Sequence, residues 1–361
     1  MNVPKLRFKE FNDEYINLKY KDVLKIKSGR DQKQVECESG IYPILGTGGQ
    51  IGKTNYFLYD KPSVLIGRKG TINKPQYMET PFWTVDTLFY SHIYEPNIPK
   101  YLFYSFQNVN WKKYDESTGV PSLSSSTIES VECNIPSKEE QLKVADFLSL
   151  LDKKIELQSK KIEDLKLFKL YTKNQIFKDC DEIFKLKDIL VKWNKKNKNN
   201  SVKYVESINN KYGFISQSDQ FEDRNVASKD LNNYYIIEKG VFGYNPSRLN
   251  VGSLALKTND KVSVVSPLYE CFTTSQNNQY LLEWFDSKYF RKETISKFEG
   301  GVRNTLNFSN LCEIEIGLPT IEKQNMYSRI FKIFNNKIEF EVKKLYKLQE
   351  LKKGLLQSMF V

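Results

Sequence analysis

Apolar residues recur in one register along two separate stretches of the chain. They fall at Leu148, Leu151, Ile155, Ile162 and Leu165, and again at Phe331, Phe334, Ile338, Leu345 and Leu348, with spacings of 3, 4, 7 and 3 in both. This is a heptad seam whose polar gap is Gln158 in one copy and Glu341 in the other. Lysine and glutamate fill the positions between. The pattern predicts two long helices that open after Pro136 and Pro319, each about 40 residues and therefore roughly 60 Å long. Ser137 with Glu140 reads as a capping box at the first start. The second start has Thr320 as cap but Lys323 where the glutamate belongs, so its box is incomplete. An amphipathic rod of this length needs a partner, and a seam kept twice predicts that the two helices pair with each other, antiparallel.

The two helices belong to a repeat. At an offset of 183, Ile135–Phe177 aligns with Leu318–Phe360 without a gap. Pro136, Gln141, Ile155, Lys169 and Phe177 return as Pro319, Gln324, Ile338, Lys352 and Phe360. Fainter echoes lie upstream: Lys21-Asp22-Val23-Leu24 parallels Lys187-Asp188-Ile189-Leu190, and a Gly119-containing loop parallels one at Gly300-Gly301. Internal repetition of this kind governs the whole fold. It predicts an α+β chain of two pseudo-two-fold-related halves, each a strand-rich globular region followed by a long helix, the helices forming an antiparallel coiled coil. The divisions fall at 1–136, 137–178, 179–318 and 319–361. Within the globular regions, Val64–Gly67, Trp83–Tyr90 and Lys261–Val265 read as strands. Tyr101–Asn108 and Tyr280–Phe290 read as short helices, and Asn194–Asn200 reads as a solvated polar loop.

Composition narrows the function without naming it. The 361 residues carry a net charge of +11, which attracts polyanions but equally fits a lysine-rich proteome. Five scattered cysteines, never in a C-x-x-C, argue for a reducing compartment and against structural zinc. The one histidine, His92, builds neither a zinc site nor a nucleophile–base pair. No apolar run approaches a membrane span and the first residues hold no apolar signal core, so a cytoplasmic protein is expected.

Three motif look-alikes fail on inspection. Thr47-Gly48-Gly49-Gln50-Ile51-Gly52-Lys53-Thr54 resembles a phosphate-binding loop, but threonine stands where the first glycine belongs. Asn245-Pro246-Ser247-Arg248 lacks the second proline and the aromatic of an amino-methyltransferase loop. Glu341-Val342-Lys343 has nuclease-like spacing but lies on a helix without a partner aspartate. No catalytic, cofactor-binding or metal-binding residue is expected on this chain.

The ordered pair of Pro-[ST]-x-x-x-Gln helix starts, the Lys-Ile-Glu core at Lys154–Glu156 and Lys337–Glu339, and the Phe177 and Phe360 endings together resemble the specificity subunits of Type I restriction-modification systems. The opening Val3-Pro4-Lys5-Leu6-Arg7-Phe8 is similar to their usual start. The resemblance implies that each globular region is a target recognition domain reading one half of a bipartite, asymmetric site in double-stranded DNA. It implies that the helix pair sets the gap and docks two methyltransferase subunits, with restriction and translocase subunits joining the full complex. S-adenosylmethionine, ATP and magnesium then belong to those partners and not to this chain. The expected DNA contacts are polar and basic loop residues: Arg68, Lys69, Lys74, Ser122 and Ser124 in the first region, Arg248, Arg303, Asn304 and Asn307 in the second. The competing reading is a coiled-coil adaptor without a DNA role.

Overall fold

Val64, Leu65 and Ile66 are wholly buried, and the Ser63–Gly67 run that holds them is an inner strand of a four-stranded sheet. The order across that sheet is Leu24–Ser28, Leu88–Ile93, Ser63–Gly67, Gln76–Met78, antiparallel at each step. A second four-stranded sheet has the order Leu190–Lys192, Glu270–Thr274, Phe242–Tyr244, Leu254–Leu256, again antiparallel at each step. The two sheets share one topology. A computed structural model describes residues 3–210, 212–217, 230–295 and 305–361. They fall into two compact units, Met1–Lys160 with Val342–Val361, and Lys161–Glu341.

The frame around each sheet repeats in detail. Ile16–Lys19 pairs with Glu132–Ile135 in the first unit, and Glu182–Lys185 pairs with Glu315–Leu318 in the second. A four-residue helical turn follows the first strand of each pair. Asp22 accepts the Lys19 N–H at 2.9 Å, and Asp188 accepts the Lys185 N–H at 3.0 Å. That shared bond is the physical reason an aspartate recurs at Asp22 and Asp188. What differs is inserted into the frame. The first unit adds a three-stranded sheet of Gly49–Thr54, Tyr42–Gly46 and Trp83–Thr84. The second adds a hairpin, Glu206–Asn209 with Gly213–Ser216, and the pair Tyr235–Ile237 with Ser263–Val265. In the second unit the Lys257 ammonium, fully buried, pairs with Glu206, which also accepts from the Ser263 hydroxyl.

The long helices run Lys138–Ile176 and Ile321–Met359. Each unit contains part of both, and in each unit they pack antiparallel. In the second, Lys161 meets Glu341 at 2.8 Å, Phe168 meets Phe334 and Lys169 meets Asn335. In the first, Asp152 meets Lys352 at 2.6 Å, while Val144 and Leu148 share a core with Leu355 and Met359. All ten seam residues are buried or half-buried. Leu148 and Phe331 are fully buried, worth roughly 1.5–3 kcal/mol each by area removed from water. Glu341 at the polar gap is buried as well and is neutralised by Lys161 and Lys337.

The repeated sequence positions make repeated contacts. Gln141 accepts the Ile98 N–H at 2.9 Å and donates to the Pro136 carbonyl at 3.0 Å. Gln324 does the same with the Asn277 N–H and the Pro319 carbonyl. Each glutamine thus ties the start of its long helix to the start of a short one, Pro99–Asn108 or Asn278–Phe285. Lys352 with Asp152 and Tyr104 in the first unit corresponds to Lys169 with Asn335 and Glu283 in the second. Phe360 packs on Tyr101 at 5.1 Å, and Phe177 packs on Tyr280 at 5.4 Å. Each globular core is therefore completed by the last residues of the helix that belongs to the other half of the sequence.

Several local expectations are corrected. Ser137 accepts the Glu140 N–H, but the Glu140 carboxylate does not reach back; it turns to Arg7, at 2.7 and 2.8 Å, and to the Tyr15 hydroxyl. The second cap is completed from outside the helix: Asp181 accepts the Thr320 N–H at 3.0 Å and pairs with Lys323. The run from Trp83 to Tyr90 is two strands, Trp83–Thr84 and Leu88–Ile93. The helix expected over Tyr280–Phe290 is two helices, Asn278–Phe285 and Lys288–Ile295, because the Ser287 hydroxyl accepts the Phe290 N–H and starts the second anew. Asn197, in the supposedly solvated loop, is buried and bonds both the N–H and the carbonyl of Val202.

Candidate nucleic-acid interface

In the first unit the buried Ser63–Gly67 strand emerges at Arg68. Gly67 is required there, since a Cβ would stand 2.4 Å from the Thr71 carbonyl oxygen. Gly70 has φ +85°, a left-handed conformation that favours glycine. The turn so formed is stitched to the Ser117–Ser124 loop. The Gly70 N–H donates to the Pro121 carbonyl at 2.8 Å, the Leu123 N–H donates to the Arg68 carbonyl at 3.0 Å, and Lys69 bridges Ser122. Arg68, Lys69 and Ser122 are thereby brought together, with Lys74 a few residues on in the same connection. Arg68, Lys69 and Lys74 are exposed. The Arg68 guanidinium lies 6.0 Å from the Phe89 ring centre. Among the described residues none of these three cations stands in an ion pair.

Asp115 and Glu116 hold this surface and were not singled out by sequence. Asp115 accepts from the Ser117 and Ser122 N–H groups at 3.0 and 2.9 Å and from the Ser117 hydroxyl. These bonds, with the Ser122 N–H foremost, hold its carboxyl below the ordinary aspartate value. Glu116 accepts from the Thr127 and Ser124 hydroxyls, and those bonds lower its carboxyl likewise. The Asp-x-Ser spacing at Asp115 is a recognisable turn signal that points to such a loop.

The second unit places Arg248 in the corresponding loop. The Leu306 N–H donates to the Pro246 carbonyl at 3.1 Å, the counterpart of the Leu123 bond to Arg68. Asn245 accepts the Ser247 N–H at 3.0 Å and starts the short helix Pro246–Val251, so the Asn-Pro-Ser-Arg run is a helix cap. Arg248 is exposed. Arg303 and Asn304 lie outside the described residues.

Ser124 and Asn307, an offset of 183 apart, are equivalent residues in equivalent structural roles. The Ser124 side chain accepts the Thr127 N–H at 3.1 Å and caps the helix Ser125–Ser130. The Asn307 side chain accepts the Asn310 N–H at 2.8 Å and caps Phe308–Cys312. Their recurrence therefore reflects capping of the helix before each repeated strand, Glu132–Ile135 and Glu315–Leu318. Among the described residues no cluster of three or more His, Cys, Asp and Glu is arranged to hold a metal. No described helix is long and apolar enough to cross a membrane.

Residues 12–167 match the family described as the Type I restriction modification DNA specificity domain. The specificity subunit of the Type I restriction enzyme MjaVIII from Methanocaldococcus jannaschii is 25% identical over 295 residues, which are 72% of this chain and 68% of the relative. The fold is shared with the crystal structure of the S subunit of a Type I restriction-modification system from M. genitalium, at a TM-score of 0.67 and 15% identity over 99% of both chains. A second solved chain, from work on complex assembly and conformational transition of the type I R-M system, aligns at a TM-score of 0.56 and 10% identity over 95% of this chain and 96% of that one. The first part of the chain thus matches the Type I restriction modification DNA specificity domain, most of its length is similar to a specificity subunit of a Type I restriction enzyme, and its fold is that of a solved S subunit.

Proposed function

We propose that this chain is the DNA-reading subunit of a Type I restriction-modification complex, in which each globular region reads one half of a bipartite, asymmetric target. The observation that carries the reading is the contrast within the repeat. The four-stranded sheets share one topology and both units keep the same glutamine, lysine and phenylalanine contacts, yet the inserted strands and exposed loops differ. A shared frame with divergent loops suits two readers of two different sequences. Arg68, Lys69 and Lys74 in one unit and Arg248 in the other are exposed cations suited to phosphate oxygens and guanine edges. Arg303 and Asn304 remain candidates in the second region, and Ser122 in the first. Ser124 and Asn307 enter as caps that shape the reading loops.

The helix pair sets the gap between the half-sites and docks two methyltransferase subunits. An outer apolar stripe supports docking of one kind of partner twice. Leu150 and Leu157 on the first long helix recur at the repeat offset as Ile333 and Phe340 on the second, and all four are exposed. Chemistry resides in the partners. Methyltransferase subunits supply S-adenosylmethionine-dependent adenine methylation, and restriction subunits supply ATP- and magnesium-dependent translocation and cleavage. The test is to map methylated adenines in DNA exposed to this chain together with its methyltransferase partner. One split, asymmetric sequence is the expected result; a palindromic or unsplit sequence, or methylation independent of this chain, refutes the reading.

A further inference from the structure

The glycine-rich stretch that mimics a phosphate-binding loop is the turn of a β-hairpin. Tyr42–Gly46 pairs with Gly49–Thr54, and Thr47 and Gly48 make the turn, with Gly49 at φ +115°. The turn adjoins the Arg68 surface. The Gln76 side-chain amide donates to the Gly46 carbonyl at 2.8 Å, and the Thr47 hydroxyl lies 3.8 Å from where a Cβ on Gly70 would stand. Gly70 is bonded in turn to Pro121 in the Ser117–Ser124 loop. Three loops of the first unit thus form one rim, and its exposed cations Arg68, Lys69 and Lys74 have no carboxylate partner among the described residues.

Gly48 is exposed, and neither packing nor backbone demands a glycine there. A Cβ on Gly48 would meet nothing within 4 Å, and its φ lies outside the left-handed region. Gly119, in the neighbouring loop, has the same two properties. Glycine at such positions carries an entropic cost without an internal return. Its other physical use is close approach of a second molecule to the main chain. The exposed cations beside it, without a carboxylate partner among the described residues, suit a negatively charged molecule.

We propose that the Thr47–Gly48 turn seats directly against the sugar-phosphate backbone of DNA at the first half-site, with Gly48 left bare so that the strand reaches the main chain. The proposal rests on the reading of the Arg68 surface as DNA-facing. It assigns this turn a positioning role, since beyond the Thr47 hydroxyl the turn offers the strand main chain rather than base-reading side chains.

The test uses the chain assembled with its methyltransferase partner and a duplex holding the mapped target. Gly48→Leu, Gly48→Asp and Arg68→Ala are compared with the unchanged chain for melting temperature, affinity against salt, and methylated sequence. Gly48→Leu is expected to melt normally, to bind about tenfold or more weakly, and to methylate the same sequence, because phosphate contacts position without specifying. Gly48→Asp, small and at home in a turn, is expected to lose affinity most at low salt, where repulsion from phosphate is least screened. If Gly48→Leu lowers the melting temperature, Gly48→Asp decides. Affinity within about twofold of the unchanged chain for the deciding variant overturns the proposal. If Arg68→Ala alone weakens binding, only the turn assignment falls; if Arg68→Ala is also silent, the DNA-facing reading of this surface falls with it.

Discussion

Single side chains carry the repeat more faithfully than the sequence pattern alone conveys. Gln141 and Gln324 each satisfy a main-chain N–H at the start of a short helix and hold the carbonyl of the proline before a long one. Both are almost completely buried. Gln141→Leu keeps much of the volume but strands the Ile98 N–H, so it is expected to cost about 1–3 kcal/mol. Ser124→Ala removes one helix cap and is expected to cost about 1 kcal/mol. Urea unfolding of the two variants checks both figures. In the assembled complex neither change should alter the bases methylated; a changed target for Ser124→Ala would make this serine a reader as well as a cap. The candidate loops were legible because serine, asparagine and glycine recur there. Their roles were not, since a hydroxyl or amide that bonds a base edge is the same group that bonds an N–H at a helix start. The role of Asp115 is not legible in sequence for a related reason: its partners Ser117 and Ser122 are close in sequence, but only the folded loop turns both N–H groups onto one carboxylate.

At the scale of elements, the long helices were the clearest part of the sequence. A heptad seam is written in the identity of five residues per copy, and the antiparallel contacts within each unit follow it. Short strands and caps were less legible because they depend on distant residues. Glu140 gives up a local capping bond for Arg7 and Tyr15, more than a hundred positions away, and Asp181 supplies what Lys323 cannot. The break after Phe285 needs only one serine hydroxyl, which apolar periodicity does not register. The seam itself is open to test. Ile155→Asp and Ile338→Asp each exchange a half-buried apolar group for a carboxylate, with an expected cost of about 1–3 kcal/mol from lost burial and desolvation. Glu341 is not a counter-example, since Lys161 and Lys337 neutralise it. No lysine should do so for the new aspartates without a shift in the helices, so melting temperature and assembly with the methyltransferase should fall together. Unchanged values for both variants would show that these positions do not form the seam.

For the molecule as a whole, the arrangement of the helices has a consequence for how a target is measured. The first long helix begins on one globular core and contributes Phe177 to the other; the second begins on that other core and returns Phe360 to the first. In the proposed reading these two continuous 39-residue helices are what fixes the gap between half-sites. Lengthening only one would set it against its partner and strain both ends. Adding seven residues to each, after Gln158 and after Glu341, keeps the heptad seam in register. At 1.5 Å per residue the addition is about 10 Å, close to three base pairs of duplex at roughly 3.4 Å each. Because neither recognition loop is touched, both half-sites should keep their bases while the unspecified gap grows by about three. Mapping methylated adenines for the lengthened chain reads this directly. A longer gap with unchanged half-sites makes the helices the measure of the target. An active complex with the original gap would mean that spacing is set elsewhere, by the methyltransferase subunits or by the bend of the DNA, and the helices would then serve to dock partners alone.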